Sequence, residues 1–126
     1  MRSSPLVLVV DDDPDILDAI CDILEGERYR VARARNGLEA LDRVGEELPA
    51  VILLDLMMPV MDGLAFATAF RKQPLARSVP IVVISADGNP QRAAALGAAG
   101  FLAKPFDIDA LLSRVSDVAG ASPSPA

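Results

Sequence analysis

Three short apolar runs stand out along the chain: Leu6 to Val10, Val51 to Leu54 and Ile81 to Ile84. Each is rich in β-branched residues, shows no polar alternation and stops at a polar residue, the pattern of parallel strands buried on both faces. Tyr29 to Ala34 alternates instead, with Arg30 between Tyr29 and Val31, which predicts an edge or half-exposed strand. Phe101 to Ala103 is a fifth, shorter candidate. Between these segments the period changes to 3.6. Ile16, Ile20, Ile23 and Leu24 share one helical face, and Ile108, Leu111, Leu112 and Val115 share another. Leu38, Leu41 and Val44 mark a helix after the second strand, Leu64 to Arg71 one after the Asp62-Gly63 turn, and Pro90 to about Ala98 a short alanine-rich one. A strand–helix alternation repeated in this way predicts an α/β fold, a parallel sheet with helices on both faces.

The chain has 126 residues, about one domain's worth and enough to bury a core without disulfides or metals. We place that domain at residues 1–119, with 120–126, rich in Ser and Pro, as a flexible linker-like tail. No apolar run approaches the roughly 20 residues that span a bilayer, and the run before Asp11 is too short for a signal-peptide core. The lone Cys21 cannot form an internal disulfide. A cytoplasmic protein without membrane contact is expected. The net charge of −6, with no Lys/Arg cluster, argues against direct nucleic-acid binding. The absence of histidine excludes a phosphohistidine carrier, His-based acid–base catalysis and His-ligated zinc.

In such a sheet, ligands bind beyond the carboxyl ends of the strands. Asp11, Asp12 and Asp13 follow the first strand, Asp55 the third, Ser85 the fourth and Lys104 the fifth. Taken singly, each suits a turn, a helix cap or a solvated surface. Asp13 does read as a cap, since Pro14 follows it at a first helical position. The others gain weight because they fall at the same end of one sheet. Two carboxylates about 4 Å apart repel by roughly 4 kcal/mol at an effective dielectric of 20, so three in one crevice call for a cation. Carboxylate oxygens with no His or Cys beside them suit Mg²⁺. Metal and Lys104 together could neutralise an incoming phosphoryl group, with a carboxylate as nucleophile.

Val9-Val10-Asp11-Asp12, Leu54-Asp55-Leu56-Met57-Met58-Pro59 with Met61-Asp62-Gly63, Val83-Ile84-Ser85-Ala86 and Lys104-Pro105-Phe106 resemble the motifs of response-regulator receiver domains, in their usual order. The likeness, to the chemotaxis-regulator type of the two-component family, runs over roughly residues 6 to 118. It implies a doubly wound (βα)5 flavodoxin-like domain with a five-stranded parallel sheet in the order 2-1-3-4-5. It also implies a role for each matching position. Asp55 is the phosphoacceptor, Asp12 binds Mg²⁺ directly and Asp11 acts through a water. Met57 offers its backbone carbonyl to the metal, and Lys104 pairs with the phosphoryl group. The Lys104-Pro105 bond is often cis in such domains. Ser85 is the hydroxyl that moves to the phosphoryl oxygen, and Phe101 the aromatic that changes rotamer with it.

The implied function is a phosphorylation-dependent signalling switch rather than an enzyme, although the domain would catalyse its own phosphorylation and dephosphorylation. The phosphodonor is a histidine kinase, a phosphotransfer protein or a small phosphodonor. A downstream protein or output domain reads the face formed by the fourth helix, fifth strand and fifth helix, with the domain as a monomer or a phosphorylation-dependent dimer. Two features depart from the pattern: the switch aromatic is Phe101, without a phenolic hydroxyl, and only 19 positions separate Ser85 from Lys104, a few fewer than in many receivers. A short fourth helix and a remodelled output face are therefore expected. Met57 and Asp87 are expected to tune the lifetime of the phosphoryl group. Two rival readings are a small haloacid-dehalogenase-type phosphatase, which would make Asp11 the nucleophile, and a receiver-like interaction module whose site is idle.

Overall fold

A computed structural model of the protein describes residues 5–56, 63–73, 78–86, 90–95 and 97–119. The expectations for Met57, Asp87 and the tail at 120–126 lie outside the described residues. The strands are β1 (Leu6–Val10), β2 (Arg30–Ala34), β3 (Val51–Asp55), β4 (Ile81–Ser85) and β5 (Gly100–Ala103). They alternate with α1 (Pro14–Gly26), α2 (Gly37–Glu46), α3 (Gly63–Arg71), α4 (Pro90–Ala95) and α5 (Ile108–Ala119). All pairings are parallel and the order is β2-β1-β3-β4-β5, the doubly wound flavodoxin-like arrangement expected above.

The continuous apolar runs form the middle of the sheet, where both faces must be covered. Alternate residues of β1, β3 and β4 serve two cores. Leu8, Val10, Ile52, Leu54, Ile81 and Val83 pack with Ala40 and Val44 of α2, Phe66 and Phe70 of α3 and Ala93 of α4. Val7, Val9, Val51, Leu53, Val82 and Ile84 pack on the opposite side with α1 and α5. The Phe66 and Phe70 rings stack with centroids 5.6 Å apart, as neighbours one helical turn apart can.

Three helices bury a face that differs in part from the expected one. In α1 the buried residues are Leu17, Ile20, Cys21 and Leu24, with Ile16 and Ile23 only partly covered. In α5 Leu111 and Val115 are buried but Ile108 is 54% exposed. Leu38 of α2 is likewise exposed while Ala40 is buried. Small residues such as Ala40 and Cys21 can face the sheet closely, so a stripe chosen from the largest side chains misplaces the contact line.

The ends follow local chemistry. Asp13 caps α1, accepting from the N–H groups of Asp15 at 2.9 Å and Ile16 at 3.3 Å, with Pro14 as the first helical residue. Asn36 caps α2 by accepting from Glu39 N–H at 2.9 Å, and Glu39 Oε1 accepts from Arg35 N–H at 2.8 Å. Helix α4 stops at Ala95, short of the expected Ala98. Gly97 takes φ 67° there, and the Gly97 and Ala98 N–H groups donate to the Ala94 and Ala93 carbonyls, the paired bonds of a Schellman stop.

Candidate phosphoacceptor site

Strand register decides which residues meet. Val10 pairs with Leu54 and with Ala34, Asp55 with Ile84, and Ser85 with Ala103. The residues that end or follow the strands thus lie side by side at the carboxyl edge. Strands β3 and β4 each run one residue beyond their apolar runs, so Asp55 and Ser85 belong to the sheet and inherit its rigidity.

Asp11, Asp55 and Ser85 are buried polar residues, while Asp12 is exposed. Asp11, Asp12 and Asp55 each offer a carboxylate oxygen, and the three oxygens lie within 4.8 Å of one another. Lys104 reaches in from the end of β5. Its Nζ donates to Asp11 Oδ2 at 2.8 Å and lies 3.5 Å from Asp55 Oδ2. Asp11 Oδ1 accepts from Asp13 N–H at 2.9 Å, so both Asp11 oxygens are engaged. Burial pushes the Lys104 ammonium pKa down, but the hydrogen bond and charge of Asp11 and the nearby Asp55 outweigh it, leaving the group above the ordinary lysine value. The site therefore carries a fixed cation against three carboxylates.

Ser85 is fully buried, and its carbonyl accepts from Lys104 N–H at 2.9 Å. Phe101 is partly buried, pairs with Val83 two residues before Ser85, and packs against the core on the α2–α3–α4 side. The Lys104-Pro105 peptide is cis. The structure therefore brings Asp11, Asp12, Asp55, Lys104 and Ser85 to one edge, with Phe101 within the neighbouring strand.

These placements decide the family question when joined to the sequence, which matches the response regulator receiver domain over residues 7–116. The chain belongs to the receiver domain family. It is 42% identical over 116 residues to the transcriptional regulatory protein PrrA of Mycobacterium tuberculosis, covering 90% of this chain and 49% of that protein. It is 40% identical to the response regulator PleD of Caulobacter vibrioides, covering 89% of this chain and 25% of that protein. This receiver thus spans half or less of the length of these relatives. The solved structure of Vibrio cholerae chemotaxis protein CheY4 superposes with a TM-score of 0.87 at 34% identity, covering 92% of this chain and 99% of that one. A receiver is the phosphorylation-dependent signalling module of two-component response regulators. Among the described residues, no helix is long and apolar enough to cross a membrane.

Two features of the receiver site were missed in the sequence. One is an apolar groove of about 450 Å³ beside Lys104, lined by Ile16, Ile20 and Ile23 of α1 with Pro105, Phe106 and Ile108. Ile16 and Ile23, which the sequence placed on the buried face of α1, are only partly covered and form part of its α1 wall. The other is the close seating of Gly63 against the backbone of Asp55 and Leu56. The glycine of the Asp62-Gly63 turn was visible, but not what it touches.

Proposed function

We propose that this receiver accepts a phosphoryl group onto Asp55, from the phosphohistidine of a histidine kinase or phosphotransfer protein or from a small phosphodonor. The observation that carries the reading is a buried Asp55 carboxylate within 3.5 Å of the Lys104 ammonium and clustered with Asp11 and Asp12. An Asp55 oxygen attacks phosphorus, and the bond from phosphorus to the donor's nitrogen or oxygen breaks. The leaving group departs with the electron pair and takes a proton from solvent. Lys104 offsets charge on the phosphoryl oxygens, and the sheet holds Asp55 in place, which is most of what such a transfer needs.

The donor set fits Mg²⁺: among the described residues the cluster is three carboxylates with no histidine or cysteine, and Asp12 is exposed. Asp11, Asp12 and Asp55 would hold it, with the carbonyl of Met57 as a further ligand. Bound there, Mg²⁺ supplies positive charge against the phosphoryl oxygens. The engagement of both Asp11 oxygens argues against Asp11 as the nucleophile and so against the phosphatase reading. The domain is then a phosphoacceptor that promotes its own phosphorylation and dephosphorylation, not an enzyme acting on separate substrates.

The phosphoryl group draws the Ser85 hydroxyl, and the strand end bearing Ser85 pulls on the loop before α4. Phe101 repacks, and the α4–β5–α5 face changes for a downstream protein or output domain. The apolar groove that shares Lys104 with the site is the surface offered to the protein phosphodonor. We assign the domain to the cytoplasm, as a monomer or phosphorylation-dependent dimer without direct nucleic-acid or membrane contact. One relative is described as a DNA-binding regulator, but this chain covers 47% of it. The test is intact mass after acetyl phosphate treatment, with and without Mg²⁺. A Mg²⁺-dependent gain of one phosphoryl group, lost in Asp55→Asn, is expected. A label retained in Asp55→Asn but lost in Asp11→Asn would overturn the reading.

A further inference from the structure

Residue 63 opens α3, and its N–H donates to the Leu56 carbonyl at 3.2 Å. This bond joins the residue after the acceptor to the first turn of the next helix. A Cβ built at Gly63 would lie 2.6 Å from the Asp55 carbonyl oxygen, 2.7 Å from Leu56 Cα and 2.9 Å from Leu56 Cδ2. The first two atoms are backbone and cannot rotate away. The demand is one of space: Gly97, not Gly63, is the described glycine with positive φ. Gly26, Gly45 and Gly97 have nothing within 4 Å of such a carbon, and Gly100 has nothing nearer than 3.5 Å.

Asp55 is the last residue of β3. The register of β3 against β1 ends at Leu54, opposite Val10, and against β4 at Asp55, opposite Ile84. The Asp55 carboxylate points to Lys104 and its carbonyl meets Gly63. Opening that contact from 2.6 Å toward the 3.4 Å of ordinary packing displaces the peptide that carries the reacting side chain. Misplacement on the scale of 1 Å can cost about a hundredfold in rate.

We infer that Gly63 is a positioning residue for phosphoryl transfer: the missing Cβ lets α3 seat against the Asp55–Leu56 backbone and holds the acceptor carboxylate in register with Lys104. The inference rests on the reading of Asp55 as acceptor. Gly63 touches no reacting atom and acts through Asp55.

The experiment measures phosphorylation of the whole chain by acetyl phosphate, varying donor and Mg²⁺ so that the limiting rate constant is separated from apparent affinities. Wild type, Gly63→Ala, Gly45→Ala and Ala65→Gly are compared below the unfolding temperature of each. Ala65→Gly weakens the same helix at an exposed position without touching the Leu56–Gly63 contact, and so reports what loss of α3 stability alone does. The expected result is a limiting rate constant at least tenfold lower in folded Gly63→Ala, with both controls at the wild-type value. Folded Gly63→Ala reacting at the wild-type rate, or Ala65→Gly slowed equally, would overturn the inference. If Gly63→Ala is unfolded in buffer, all four proteins are assayed in an excluded osmolyte such as TMAO, which favours the compact state. Failure to fold even there marks Gly63 as merely structural and overturns the inference too. A wild type that takes no phosphoryl group would instead overturn the acceptor reading.

Discussion

Lys104 and Asp11 stand 93 positions apart in the chain, yet Lys104 Nζ lies 2.8 Å from Asp11 Oδ2 and only 3.5 Å from Asp55 Oδ2. The cation thus bridges the two acids, seated more closely on Asp11 than on Asp55. Asp55 thereby keeps an ammonium close enough to offset added negative charge. A seat of this kind is preorganised, and preorganised charge is worth more in a partly buried site than in water.

Removal of that charge has a predicted signature. Lys104→Met is expected to lower the rate of phosphorylation by acetyl phosphate by about a hundredfold, the scale for loss of one preorganised electrostatic contact. Lys104→Arg is expected to recover only part, because a planar guanidinium fork does not replace a compact ammonium. Mass-resolved time courses check both. A Lys104→Met rate equal to wild type would remove Lys104 from the chemistry.

Asp12 is exposed, unlike Asp11 and Asp55, and its effect on stability is expected to change sign with metal. Without Mg²⁺, Asp12→Asn relieves repulsion in the cluster and raises the midpoint of urea unfolding. With Mg²⁺ at ten times its Kd, the wild type gains about 1.4 kcal/mol by linkage, and Asp12→Asn loses much of that gain. Addition of EDTA removes the difference. Urea titrations with and without Mg²⁺ check this, and a variant stabilised by Mg²⁺ as fully as wild type would contradict it.

Cys21 is fully buried on the inner face of α1, and burial pushes its thiol up from 9.0 to about 11. The folded state therefore holds the proton more tightly than the unfolded state. The stability due to the neutral thiol is complete below about pH 9 and is lost as pH rises through 11. Urea midpoints of wild type are expected to fall more steeply between pH 8.5 and about pH 11 than those of Cys21→Ala. Native protein is also expected to resist maleimide labelling at pH 8, with labelling appearing on unfolding. Parallel pH slopes for the two proteins would count against this.

Asp13 separates structure from chemistry within the acidic triplet. Its side chain caps α1 and makes no contact with Lys104 among the interactions at the site. Asp13→Ala is expected to cost about 1 kcal/mol and Asp13→Asn little, since asparagine caps equally well. Neither is expected to slow phosphorylation, because Asp11 accepts from the backbone N–H of residue 13, which both variants keep. Denaturation curves and acetyl phosphate kinetics on the same samples check the pair.

The sequence by itself determined the strand–helix alternation, the buried middle of the sheet, the Asp13 cap and the residues at the strands' carboxyl ends. These are local properties: unbroken apolar runs, turn residues and the chemistry of the position after a strand. The order of the strands came from resemblance, since nothing in a run such as Ile81 to Ile84 names its neighbours. Tertiary structure alone decided that Leu17 and Cys21 of α1 are buried while Ile16 and Ile23 are only partly covered, and that this pair lines a groove beside Lys104. It alone decided that Lys104 sits on Asp11 and that Gly63 closes on Asp55. Such contacts depend on how helices are rotated and how closely separate segments approach. Differences of a few tenths of an ångström there arise from packing the whole chain and leave no periodic trace along it.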